Sequence, residues 1–318
     1  MSRALNDSNH AVNKDTRGRI ISLAREWGYR PNAIARGLRT DRTFTVGIIA
    51  DSISSVFTPI IIRGIQDQLS QRGYLGLVIN GDRDRSVETE AIHQFMSRSI
   101  DGVIFVESWL RGPNPTIDLA GRPYVFVQRL FGSAHPNSVV IDDRHGAHLA
   151  VEHLAKIGHR RIAFINGPKG WDASANRLDG YGEALNRAGL AFNPELLKEG
   201  DWEVQSGYRA AKKLLTLPQP PTAIFAANDL MALGAIYAIE DSGMRVPEDI
   251  AVVGYNDREI ASISRPTITT VAIPFYDMGR VSAKLLLNLI YHEVESGEPI
   301  KMRGKLIVRE SCGAVKGH

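Results

Sequence analysis

The chain has 318 residues, 43% of them hydrophobic and 23% charged, an ordinary globular composition that suits two linked lobes or one large domain with a sizeable core. A single cysteine, Cys312, excludes a disulfide framework and a cysteine-based zinc site, and no run approaches 18 uninterrupted apolar residues, which excludes a transmembrane helix. The net charge of +3 divides unevenly, with +5 on residues 1–45 and −2 on the rest. A basic head on a slightly acidic body suits contact with a polyanion at one end, and equally suits a solvated basic helix. Met1–Asp7 is polar and lacks the apolar core of a signal peptide, so a soluble cytoplasmic protein is expected.

In chain order, Thr16–Trp27 places Ile20, Leu23, Ala24 and Trp27 on one helical face, with Asp15 or Thr16 available as cap and Gly28 as stop. Pro31 blocks continuation, and Asn32 can cap a short second helix over Ala33–Arg39. A helix that short does not hold by itself and orders only against a partner; an interdomain linker is the competing reading of the same residues. From Phe44 onward, short apolar runs alternate with amphipathic segments. Strands are expected at Phe44–Ala50, Tyr74–Asn80, Gly102–Val106, Pro123–Val127 and Ser138–Ile141, with helices over Pro59–Gln71 and Val87–Arg98. After a break near Asp142–Gly146 the rhythm resumes, with helices over Gly146–Ile157, Ala175–Ala188, Ser206–Leu215 and Leu230–Asp241. The strands of this half are Arg161–Asn166, Thr222–Ala226 and Ile250–Gly254. Beyond Gly254 no element is assigned, apart from a crossover near Phe275.

Strands alternating with helices imply parallel sheets covered on both faces. Two such sheets side by side leave a crevice at the carboxyl ends of their strands, where ligands bind. Gly73, Gly158, Gly189 and Gly243 stand where helices stop.

The segments Ser2–Asn6, Thr16-Arg17 and Gly28–Thr40 resemble the headpiece and hinge of the lac-repressor/galactose-repressor (LacI/GalR) family. The resemblance continues through Asp51–Ser54, Val151–Leu154, Gly158–Ala163, Gly200–Trp202, Ser206–Tyr208, Ala227–Asp229, Ala232–Ala235, Gly254–Asp257 and Pro266–Val271. It spans essentially the whole chain in the family's order. It implies an α/β, two-lobed type I periplasmic-binding-protein-like fold, with two parallel sheets and helices on both faces, preceded by a short helical DNA-binding headpiece. On that basis residues 1–28 are a remnant of a helix-turn-helix headpiece, 29–43 the hinge helix and linker, and 44–318 the ligand-binding core. Lobe 1 is expected over about 44–144 and 275–304, and lobe 2 over about 145–274 and 305–318.

The function implied is that of a ligand-controlled, sequence-specific transcriptional repressor acting as a homodimer on pseudo-palindromic operator DNA. By the same resemblance Arg3 matches a base-reading position. Leu38 matches the residue that wedges a minor-groove step, with Asn32, Ala35 and Arg39 at neighbouring contacts. The effector cleft implied by the family holds Phe57, Gln128, Arg177, Trp202, Asn228, Asn256 and Phe275. An indole stacks on the apolar face of a sugar ring, and a guanidinium fork holds vicinal hydroxyls or a carboxylate. Asn228 can cap the helix it precedes and still face the crevice.

Two departures matter. Gln128 and Asn256 stand where sugar-gripping members usually carry aspartate, so the pocket loses two charges while keeping Arg177, with Arg129 nearby. A neutral saccharide is expected, and a sugar acid or phosphate gains ground. Only Met1–Asn6 stand where the end of the recognition helix belongs. A misplaced start, a trimmed chain and a true loss of DNA reading each account for that. The last would make the protein a cytoplasmic sugar-binding sensor, the alternative function. A periplasmic solute-binding protein would share the fold but has no need of the basic hinge.

No Gly-x-Ser-x-Gly elbow, phosphate loop or dinucleotide fingerprint occurs, so neither an enzyme nor a cofactor is expected. His145, His148, His153 and His159 lie close in sequence to Asp142 and Asp143. Solvated helix ends and a helix cap explain them without a metal. The tail from Ser311 has no leucine heptads, so no coiled-coil tetramerisation segment is expected.

Overall fold

The computed structural model describes residues 13–28, 42–106, 118–128, 136–293 and 297–314. The short helix expected over Ala33–Arg39, and the DNA-facing Arg3, Asn32, Ala35, Leu38 and Arg39, lie outside the described residues, as does Arg129.

The first helix, α1 (Lys14–Glu26), starts two residues earlier than the sequence suggests. Its first turn is held by Asn13, whose Oδ1 accepts the Asp15 N–H at 3.2 Å, and not by Asp15 or Thr16. Of its apolar face only Ala24 is buried, while Leu23 and Trp27 are exposed.

Among the described residues the core consists of two six-stranded sheets. The first contains β1 (Thr45–Ala50), β2 (Leu75–Asn80), β3 (Gly102–Val106), β4 (Tyr124–Val127), β5 (Ser138–Ile141) and β11 (Ile300–Met302), in the order β11-β5-β4-β3-β1-β2. The second contains β6 (Ile162–Asn166), β7 (Leu197–Glu199), β8 (Ala223–Ala226), β9 (Ala251–Asn256), β10 (Thr269–Ala272) and β12 (Lys305–Ile307), in the order β12-β10-β9-β8-β6-β7. All pairings are parallel except β10–β12. Strands β3, β6 and β8 are buried along their whole length. This is why they read as unbroken apolar runs, since helices cover both faces of a parallel sheet.

Lobe 1 carries α2 (Thr58–Ser70), α3 (Arg85–Ser97) and α9 (Phe275–Ile290). Lobe 2 carries α4 (Asp143–Lys156), α5 (Asp172–Arg187), α6 (Val204–Leu215), α7 (Asp229–Glu240) and the short α8 (Glu259–Ile263). Polar side chains fix several starts. Asp84 accepts Ser86 N–H at 2.8 Å, Asp142 accepts His145 N–H at 3.1 Å and Asn228 accepts Met231 N–H at 2.8 Å. The four glycines expected to stop helices all have positive φ.

Helices α2 and α9 cross at the closest approach the backbone allows. A Cβ on Gly64 would collide with the Tyr276 carbonyl, and one on Gly279 with that of Ile61. Helices α6 and α7 do the same through Gly207 and Gly234.

The chain crosses between the sheets three times: from β5 into α4, from β10 into α9, and from β11 into β12. Each crossing joins the carboxyl end of a lobe 1 strand, or the start of α9, to the carboxyl edge of the second sheet; Ala272 pairs with Lys305 there. Both sheets therefore point their carboxyl ends at one junction. Asp142 spans it, its N–H donating to the Met302 carbonyl at 2.9 Å and its carboxylate 3.4 Å from Arg303. Among the described residues, no helix is long and apolar enough to cross a membrane.

Candidate functional site between the lobes

Every expected effector contact lies at that junction. In lobe 1, Phe57 stands at the start of α2 and Phe275 at the start of α9, and their rings stack with centroids 4.3 Å apart and planes at 18°. Gln128 follows β4; its N–H donates to the Val139 carbonyl at 2.9 Å, and its buried Oε1 has no hydrogen-bond partner.

In lobe 2, Arg177 on α5 is 5% exposed. Its Nε donates to Asp143 Oδ1 at 2.8 Å, its second terminal nitrogen lies 2.8 Å from the same oxygen, and the other donates to the Ala227 carbonyl at 2.5 Å. The guanidinium carbon lies 4.0 Å from the Tyr255 ring centroid and 5.5 Å from that of Trp202. Burial, followed by the charge of Asp143, pushes the Tyr255 phenol well above its ordinary range.

Asn228 uses both ends of its amide: Oδ1 caps α7, and Nδ2 donates to the Trp202 carbonyl at 2.8 Å. That bond fixes the turn carrying Trp202, whose buried Nε1 has no partner. Asn256 ends β9, opposite Ala272 of β10. The following Asp257 pairs with Arg309 at 2.7 Å. Beneath this turn, Asp229 accepts the Thr270 hydroxyl at 2.6 Å and the Arg258 N–H at 2.7 Å. Its burial pushes its carboxyl up to about 7, against the pull of those hydrogen bonds.

Three of the seven expected contacts have left-handed backbones: Gln128 at φ 52°, Trp202 at 75° and Asn256 at 96°. Non-glycine residues hold this conformation at a cost of order 1–3 kcal/mol each, and such strain clusters at binding sites.

The chain's similarities to known proteins agree with this geometry. The model of a periplasmic binding protein-like domain matches residues 151–312, just over half of the chain. The HTH-type transcriptional regulator RegA of Clostridium saccharobutylicum is 38% identical over 316 residues, covering 98% of this chain and 94% of that protein. The chain belongs to the LacI/GalR family of transcriptional regulators. Among solved structures, the Lac repressor bound to ONPG in the repressed state superposes with a TM-score of 0.77 at 30% identity, covering 98% of this chain and 94% of that one. A complex of the regulator CelR with cellobiose gives 0.72 at 33%, with the same coverage. CytR of Escherichia coli, 33% identical, is named as an HTH-type transcriptional repressor and CelR of Thermobifida fusca, 36% identical, as an HTH-type transcriptional regulator, and neither as an enzyme.

Several residues of this LacI-type cleft escape sequence reasoning. Asp143 reads as part of a cap, yet it is Asp142 that caps α4 while Asp143 turns to Arg177. Tyr255 lies just past the strand expected to end at Gly254 and is given no role in the sequence reading, although the observed strand runs on to Asn256. Trp171, at the start of α5, sets its ring 5.8 Å from that of Trp202 at 65°; its place just past the carboxyl end of β6 was a usable signal. Among the described residues, no group of three or more His, Cys, Asp or Glu side chains could hold a metal.

Proposed function

We propose that this protein is a cytoplasmic, homodimeric repressor whose two lobes close on a neutral saccharide and thereby set the grip of the 29–43 segment on operator DNA. Phe57, Gln128, Arg177, Trp202, Asn228, Asn256 and Phe275 form the effector contacts in this reading. Arg3, Asn32, Ala35, Leu38 and Arg39 face the DNA.

The observation that carries the choice of effector is the buried Arg177–Asp143 pair. The guanidinium that would have drawn a sugar acid or phosphate already has its counter-charge at 2.8 Å, and Arg309, beside the Asn256 turn, is likewise paired, with Asp257. The amides of Gln128 and Asn256 both donate and accept, which suits hydroxyls. Stacked phenyl rings on one side and an indole on the other suit the apolar faces of a pyranose.

Isothermal titration of the chain with neutral sugars and with the corresponding sugar phosphates tests this. The neutral compounds bind and phosphorylation weakens binding. Tighter binding of the phosphates overturns the assignment.

A further inference from the structure

We infer that Asp229, which touches no effector itself, is a positioning residue of the cleft: it holds the Asn256 turn against the start of α7 and so sets Asn228 and Asn256 as one unit. The inference rests on the reading of those two residues as effector contacts and adds what places them.

Asp229 is the first residue of α7 and directly follows Asn228. It is fully buried, and a buried carboxyl is costly unless its oxygens find donors. Capping does not require it, since Asn228 already caps α7 through the Met231 N–H. Its two oxygens reach donors on other segments instead. Oδ2 accepts the Arg258 N–H at 2.7 Å, and Oδ1 accepts the Thr270 hydroxyl at 2.6 Å. The Thr270 oxygen in turn accepts the Asp257 N–H at 3.3 Å. The two backbone donors that follow Asn256 are therefore tied, directly or through one hydroxyl, to the same carboxyl.

The sheet brings these groups into reach. Thr270 of β10 is the register partner of Gly254 of β9, and a Cβ on Gly254 would strike the Asp229 carboxyl. Two residues further on, Asn256 and Asp257 are both left-handed, at φ 96° and 55°. Neither is glycine, and such a pair persists only where its surroundings over-determine it. Asp229 supplies the inner hold, on the backbone. On the outer side Arg309 grips the Asp257 carboxylate at 2.7 Å while donating to the Ile268 carbonyl at 2.9 Å. Without the inner hold the turn relaxes, and the Asn256 amide loses its set relation to Asn228.

Hydrogen exchange of the 255–259 segment in the full chain, together with isothermal titration of glucose, galactose, maltose and cellobiose, tests this. Asp229→Ala is expected to speed exchange at the Asp257 and Arg258 N–H groups at least fivefold. Thr270→Val, which keeps the shape of the side chain, does the same at Asp257 alone and decides the matter if the alanine variant fails to fold. In Thr270→Val the Ala223–Ala226 strand keeps its rate, and Thr270→Ser restores the slower exchange at Asp257. The sugar that binds the wild type most tightly loses at least fivefold in affinity on Thr270→Val, but less than twofold when Asn256→Ala is already present. Unchanged exchange at Asp257, or exchange that speeds equally across the sheet, overturns the positioning role, as does an affinity loss of the same size in both backgrounds. If none of the four sugars binds, the saccharide reading falls, and the exchange result still decides whether Asp229 holds the turn.

Discussion

At the scale of single residues, the proposed effector cleft has its charges already paired with one another. Arg177 and Asp143 are both nearly dry, with side chains 6% and 10% exposed. A buried pair is worth little against an apolar replacement of both partners, but removing one partner strands the other charge at a cost of roughly 3–5 kcal/mol. Asp143→Ala is therefore expected to lower the unfolding free energy by that order in urea titration, and to weaken effector binding as Arg177 loses its anchor. A loss well under 1 kcal/mol would contradict the pairing. Asp229 and Glu88 behave differently. Burial pushes both carboxyls up to about 7, helped at Glu88 by the charge of Asp51. Between about pH 4 and 7 the folded chain thus holds protons that the unfolded chain has released, so these two groups make stability fall as pH rises through that window. Asp229→Asn is expected to flatten the fall, measured as the pH slope of the urea midpoint; an unchanged slope would contradict the raised carboxyl. Trp202, Asn228 and Asn256 could be named from sequence because each sits at a strand end or helix start within a motif shared with the family; Phe57, Gln128, Arg177 and Phe275 are named only as positions the resemblance implies. The partners Asp143, Tyr255 and Trp171 could not be named, because their roles depend on which loops the sheet order brings side by side.

Among the elements, the long parallel strands and their helices were legible from the apolar rhythm, with most boundaries within three residues of those observed. Beyond Gly254 the sequence-based assignment is blank, and two causes separate. Strands β11 and β12 are three residues long and have no buried position, and β10 opens with two threonines, so none of them shows as an apolar run. Helix α9 was legible: its buried positions 275, 278, 279, 282, 283, 286, 287 and 290 repeat every three or four residues. This helix returns the chain to lobe 1 by packing on α2, and the glycines at that crossing decide how closely. Gly64→Val sets a branched side chain against the Tyr276 carbonyl, and overpacking of this kind costs roughly 1–3 kcal/mol. Thermal melting should report the loss; a neutral result would mean that the two helices do not cross so closely. The proposed hinge segment lies almost wholly outside the described residues. Gly37 weakens a helix there by roughly 0.5–1 kcal/mol relative to Ala, which leaves its folding easily biased. Leu38→Ala is expected to weaken operator affinity at least tenfold in gel-shift titration, with effector affinity unchanged. Equal operator affinity would remove the wedge from the account.

For the whole molecule, two sheets aimed at one junction and joined by three short crossings form a hinged pair, and a ligand between them can act at a distance only through its different affinity for open and closed arrangements. The chain enters lobe 1 directly after the proposed hinge segment. Asp101 accepts the N–H groups of Thr43 and Phe44, both at 2.9 Å, and Arg42 donates to the Ile290 carbonyl at the end of α9. Phe275, one of the proposed effector contacts, is the first residue of that same helix, so in the proposed mechanism α9 links the effector site to the point where the chain enters lobe 1. The most direct measurement is fluorescence anisotropy of the protein on its operator fragment, with and without a saturating neutral saccharide, for the wild type and for Trp202→Ala. The expected result is at least a tenfold change in operator affinity in the wild type and none in the variant. An operator affinity that stays the same with the cleft filled would contradict the coupling on which the whole account depends.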